Sequence, residues 1–183
     1  MQLKKASDIL GSNGVRILMN SKMKYLCDYM GIDIYNCDSY KNGRAFSRYF
    51  KHIIQDPHHG YYTYKLWEKR FGCGSDNVMA NEWSNNMMDM CGFNNTKCAI
   101  GTAIWFALSL AAELYKIVDS ATVDFCFTDV NDKDNEYYEK NDYHDCPHVT
   151  FYVNRLGLPE ITDFNIDEIE DTVTCRMLIR IDK

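Results

Sequence analysis

This chain is expected to be an α+β protein, with an N-terminal helical layer of about five helices on a small C-terminal antiparallel sheet of three or more strands. Two observations carry that expectation. The apolar residues recur at helical spacing up to Ser120 and alternate after it. The charge changes at the same place. Residues 1–119 hold fourteen Lys/Arg and eleven Asp/Glu, a net of +3, whereas residues 120–183 hold six and fifteen, a net of −9. At 183 residues and 46% hydrophobic content, the chain suits a single domain spanning 1–183 with its own core. Its 25% charged content excludes global disorder.

The elements follow in order. Gly11-Ser12-Asn13-Gly14 reads as a turn. The spacing of Val15, Met19, Met23, Leu26 and Met30 predicts a helix that Gly31 stops. Residues 33–43 read as loop. A second helix is expected over 44–55, with Phe46, Phe50, Ile53 and Ile54 inward. Asp56-Pro57 ends it, because a residue before proline is pushed out of the α region. Tyr64, Trp67 and Phe71 predict a third helix over 61–71. Met79, Trp83, Met87 and Met90 predict a fourth, capped by Ser75 or Asp76. The fifth, about 97–118, starts from Asn94, Asn95 or Thr96. It is apolar nearly all round, as a central core helix must be. Three strands then follow at about 121–130, 147–154 and 172–182. Their apolar sides, with Val123, Phe125, Phe127, Val149, Phe151, Val153, Met177 and Ile179, would lie on the fifth helix. The other side would show Asp124, Thr128, His148, Thr150, Tyr152, Arg176 and Arg180, as a solvated surface or a site.

A cytoplasmic protein without a membrane segment is expected. Two lysines lie in residues 1–5, but no apolar run follows them. The longest apolar stretch, 98–112, is shorter than the roughly 20 residues a span needs. The eight cysteines are scattered and read as reduced thiols. Asp outnumbers Glu by eighteen to eight, a bias that fits an AT-rich genome such as many phages and viruses have.

Three regions carry candidate chemistry. The first is His144-Asp145-Cys146-Pro147-His148-Val149-Thr150. His148-x-Thr150, followed by Phe151-Tyr152-Val153, resembles half of the signature of the 2H phosphoesterases. That resemblance implies His148 and Thr150 as catalytic residues on a phosphodiester, with the imidazole moving a proton and the hydroxyl holding a phosphoryl oxygen. The departure from the family is plain. None of His52, His58, His59 or His144 is followed two residues later by Ser or Thr, so the second motif is missing. On an extended strand His144, Cys146 and His148 also point to one side, and imidazole and thiolate suit zinc, with Cys126 as a fourth ligand. Zinc is therefore the one cofactor considered, and none is the main expectation. The enzyme reading is a hydrolase centred on 144–150, with Asp124, Tyr152 or Arg176 assisting.

The second region is 41–70, with seven Lys/Arg against Asp56 and Glu68. Arg44, Arg48, Lys51, Lys65 and Lys69, with tyrosines interleaved, would serve a nucleic-acid groove, where cations meet phosphates and rings stack on bases. The third is the acidic cluster Asp129, Asp132, Asp134, Glu136, Glu139 and Asp142, with Tyr137, Tyr138 and Tyr143 as interface anchors. It lacks the regular spacing and glycine of a calcium loop. No Gly-rich phosphate loop or nucleophile elbow is present.

The charge split makes a binding protein the leading expectation. A small acidic cytosolic inhibitor, a phage or viral host-interaction factor, would dock a basic, nucleic-acid-handling partner through its acidic loops and outer sheet face.

Overall fold

The computed structural model describes residues 5–41, 86–90, 95–128, 146–154, 165–170 and 174–183. Its strands are β1 (Val15–Met19), β2 (Met88–Asp89), β3 (Ser120–Phe127), β4 (His148–Val153) and β5 (Cys175–Asp182). Its α-helices are α1 (Ser21–Met30), α2 (Thr96–Ile117) and α3 (Ile166–Glu170), with 3₁₀ segments at Ala6–Gly11 and Ile34–Tyr40. The five strands form one antiparallel sheet in the order β1-β5-β3-β4-β2.

The molecule therefore mixes helices and sheet, but a helical half followed by a β half is not what it builds. Residues 1–119 supply β1 and β2, so the sheet draws strands from both ends of the chain. The helix expected over 15–30 is a strand, a one-residue break at Asn20, and a shorter helix. Val15 and Met19 fit a period of two as well as a helical stripe, Ile17 between them fits the strand alone, and β5 offers them a ladder from Val15↔Ile181 to Met19↔Met177. The stretch expected to end the fourth helix holds β2, which pairs Met88 with Val149 and Asp89 with His148. The loop expected over 33–43 contains a 3₁₀ segment that buries Ile34 and Cys37. The helices expected over 44–55 and 61–71 lie outside the described residues.

α2 is the core helix. Asn95 caps it by accepting from the Cys98 amide at 2.7 Å, and its buried residues run from Ala99 to Leu114 on every side. Among the described residues it is the one helix long and apolar enough to cross a membrane, but it is wrapped by β3, β4, β5 and both 3₁₀ segments. The facing side of the sheet supplies Val123, Phe125, Phe127, Val149, Phe151, Met177, Ile179 and Ile181, all buried. Their alternation in the sequence put them there.

Two ends are pinned by backbone geometry. Gly31 closes α1 at φ 61°. Its amide donates to the Asp28 carbonyl and the Ile32 amide to the Cys27 carbonyl, which is a Schellman ending. Gly14, at φ 75°, accepts from the Asp182 amide at 2.7 Å, so close that a Cβ would sit 2.0 Å from the Asp182 carbonyl oxygen. That contact fixes the β1–β5 register where the two chain ends meet.

Candidate active site on the outer sheet face

Strand register sorts the side chains opposite α2 into rows. One row runs Asp89, His148, Cys126, Arg176 across β2, β4, β3 and β5. The next runs Thr150, Asp124, Leu178 and then Leu18 of β1. The next runs Tyr152, Thr122, Arg180, Arg16.

This face is closed at its centre. Thr122, Asp124, Thr150, Tyr152 and Leu178 are each at most 2% exposed. The expectation that this side would show its polar residues is corrected at Asp124, Thr128, Thr150 and Tyr152, which are buried. The His148 row is more open. Side-chain exposure rises from 18% at Arg176 to 29% at His148 and 57% at Asp89, and Cys126 is half-buried.

Two carboxylates fix the row. The buried Asp124 accepts from Arg176 through both oxygens, Nε–Oδ1 at 3.0 Å and Nη2–Oδ2 at 2.6 Å. This is the two-pronged geometry a guanidinium and a carboxylate prefer. The Arg176 amide also donates to the Asn20 side chain at 3.0 Å. Burial disfavours the Arg176 cation, but the Asp124 hydrogen bond and charge, and then Cys126 and Tyr152, outweigh it and hold its pKa above the ordinary value. At the other end, Asp89 Oδ1 lies 2.6 Å from His148 Nδ1. A carboxylate on Nδ1 orients the ring and favours the tautomer that carries its proton there.

His148 and Thr150 share one face of β4, but Thr150 is buried one row deeper, opposite Asp124. Cys146 is disulfide-bonded, its partner lying outside the described residues, whereas Cys27, Cys37, Cys98, Cys126 and Cys175 are not in disulfides. The expectation of reduced cysteines is thus corrected at Cys146. His144, the other member of the candidate zinc set, lies outside the described residues. Among the described residues no three His, Cys, Asp or Glu side chains are arranged to hold a metal ion. The acidic set Asp129, Asp132, Asp134, Glu136, Tyr137, Tyr138, Glu139, Asp142 and Tyr143 lies outside them too. So does the basic set Arg44, Arg48, Lys51, Lys65 and Lys69.

Sequence reasoning named His148, Arg176 and Asp124 but missed Asp89, which meets His148 from 59 residues away. Asp89 carried no signal, because it stood on what read as the polar side of a helix. Compared with family models, curated proteins and solved structures, the chain matches none.

Proposed function

We propose that the protein is a hydrolase whose proton-transfer group is His148, oriented by Asp89, at the open edge of the outer sheet face. The observation that carries this reading is the 2.6 Å contact between Asp89 Oδ1 and His148 Nδ1. An imidazole held in this way is suited to general-base work near neutral pH. Arg176, kept charged and in place by Asp124, supports the reading, since a fixed guanidinium two strands away can hold an anionic oxygen. The test is a panel of phosphodiester and carboxylic-ester substrates run with wild type, His148→Gln and Asp89→Asn. His148→Gln should lower the rate by about 100-fold or more. Equal rates in wild type and His148→Gln would refute the reading.

A second reading is favoured by charge alone. The net of −9 on residues 120–183 would steer a basic macromolecule toward the protein. Its surface would be drawn from the acidic residues 129–143 more than from the outer sheet face. Among the described residues of this half, Asp124 is engaged internally by Arg176, Asp182 by Arg16 and Arg180, and Glu170 by the Ser21 amide and hydroxyl. Co-purification over a salt series tests it, and failure to retain any basic partner at low salt removes it.

A further inference from the structure

The row that holds His148 also holds a thiol. Cys126 is the direct cross-strand neighbour of His148 on β4 and of Arg176 on β5. Side chains so opposed have Cβ atoms about 5 Å apart, within reach of one another by rotation about χ1. Cys126 is not disulfide-bonded and is half-buried, at the boundary where the closed centre of the face gives way to the open row. In strand order the row reads carboxylate, imidazole, thiol, guanidinium, and the imidazole and the guanidinium are each positioned by a carboxylate. Asp89 holds the imidazole, and Asp124 holds the guanidinium. A thiol between a base and a fixed cation is the arrangement that makes sulfur a nucleophile.

We infer that Cys126 is the nucleophile of this site and that its substrates are acyl compounds, carboxylic esters or thioesters, cleaved through an acyl-cysteine intermediate. The inference rests on the hydrolase reading above and narrows it. His148 Nε2 takes the Sγ proton as the sulfur electron pair forms a bond to the carbonyl carbon. The carbonyl π electrons move onto oxygen, where the positive potential of Arg176 stabilises them. Collapse of that adduct breaks the bond to the leaving oxygen or sulfur, which departs with the proton held by His148. Water then adds to the thioester, giving a proton to His148, and the C–S bond breaks as Cys126 recovers its proton. The net change is ester or thioester plus water to acid plus alcohol or thiol, with no oxidant or reductant.

The experiment uses the full chain and two reagents. Iodoacetamide labelling, read by peptide mass spectrometry, gives the reactivity of each thiol against pH. Acid quenching during turnover of p-nitrophenyl acetate traps any acyl-enzyme. Cys126 should alkylate at pH 6.5 at least about tenfold faster than the exposed Cys98. His148→Gln should abolish that advantage and leave Cys98 unchanged. The quenched peptide containing Cys126 should carry an acetyl group, and Cys126→Ala should lose both the adduct and turnover while melting normally. If Cys126→Ala keeps His148-dependent hydrolysis, the inference is overturned and the hydrolase reading stands, with water as the nucleophile. If Cys126 reacts no faster than Cys98, and equally in His148→Gln, the inference is likewise overturned. If the acyl adduct forms on Cys126 and depends on His148, both stand.

Discussion

Asn20 is the residue whose replacement most sharply tests how this fold is held. It is fully buried, and its side-chain amide makes four hydrogen bonds among the described residues. Oδ1 accepts from the Met23 amide at 2.9 Å and the Arg176 amide at 3.0 Å. Nδ2 donates to the Ile169 carbonyl at 2.9 Å and the Thr174 carbonyl at 2.8 Å. One side chain thus caps α1, anchors the start of β5 and ties down α3. Asn20→Ala removes the cap, worth about 1 kcal/mol. It also takes one bond from each of three other backbone groups, at about 1 kcal/mol apiece where the site is buried. The expected loss is about 3–5 kcal/mol, a large share of the roughly 5–15 kcal/mol of a typical domain. Asn20→Asp separates the parts. Asp caps a helix as well as Asn does, so an ordinary exposed cap would tolerate it. Here the new oxygen would face two carbonyl oxygens with no proton to offer, inside the protein. Asn20→Asp should therefore cost at least as much as Asn20→Ala in urea denaturation at pH 7, followed by circular dichroism. An Asn20→Asp protein within about 0.5 kcal/mol of wild type would show that the two donated bonds contribute nothing, and the reasoning would fail.

Three further outcomes are expected. Gly101 in α2 lies against Tyr40, and an added Cβ would sit 2.4 Å from the ring. Gly101→Ala should lose about 1–2 kcal/mol in urea melts despite the better helix propensity of Ala, and the loss should vanish in a Tyr40→Ala background. Burial pushes the Asp182 carboxyl up, but hydrogen bonds from Ser120, Arg16 and Arg180 outweigh it and hold it below its ordinary value of 3.8. The native state therefore binds fewer protons, so this contribution is present above the ordinary value and fades as pH falls through the native one. Asp182→Asn should narrow the stability difference between pH 6 and pH 3, and an unchanged difference would count against the network. Burial, then Asp28, then Cys175 push the Cys27 thiol up to about 11. Burial, then Asp38, push the Cys37 thiol up to about 12. Both should stay unmodified by iodoacetamide at pH 8 in the native protein while the exposed Cys98 reacts, as peptide mass spectrometry would report.

Where the sequence was readable, one period fitted and its competitor did not. α2 is apolar on all sides for longer than any strand, with Asn95 placed to cap it. β3, β4 and β5 alternate cleanly, and their bounds fall within a few residues of those expected. β1 was hidden because Val15 and Met19 fit two periods and continue into the helical stripe of Met23, Leu26 and Met30, so that only Ile17 spoke for the strand that the β5 ladder selects. β2 was hidden because two residues carry no period at all. Asn20 sat in the middle of an apparent helix, where its role as a boundary shows only once Arg176, Ile169 and Thr174 come back to it. The outer face was misjudged for a similar reason. Thr122, Asp124, Thr150 and Arg176 alternate with apolar residues just as a solvated face would, and nothing local distinguishes a polar side chain facing water from one paired inside the protein.

That misjudged face carries the argument about function. A buried ion pair is weak evidence for stability, because desolvation offsets much of its attraction and an apolar pair of similar size often does as well. The Asp124–Arg176 pair is therefore better understood by where it points than by what it contributes to folding. Asp124 lies in the closed row, beside Thr150 and Leu178, and grips the guanidinium from below. Arg176 rises into the more open row, next to Cys126 and in line with His148 and Asp89. The charged groups of that row thus stand on regular strands, each tethered by a carboxylate, and not on loops. Strands fix side-chain positions more tightly than loops do, and the proposed proton transfer from a sulfur or a water to His148 requires that precision. Asp124→Asn keeps the shape but leaves the part-buried Arg176 cation without its counter-ion, so it should cost about 3–5 kcal/mol in urea denaturation. An Asp124→Asn protein within about 1 kcal/mol of wild type would show that the carboxylate does not hold the guanidinium in place.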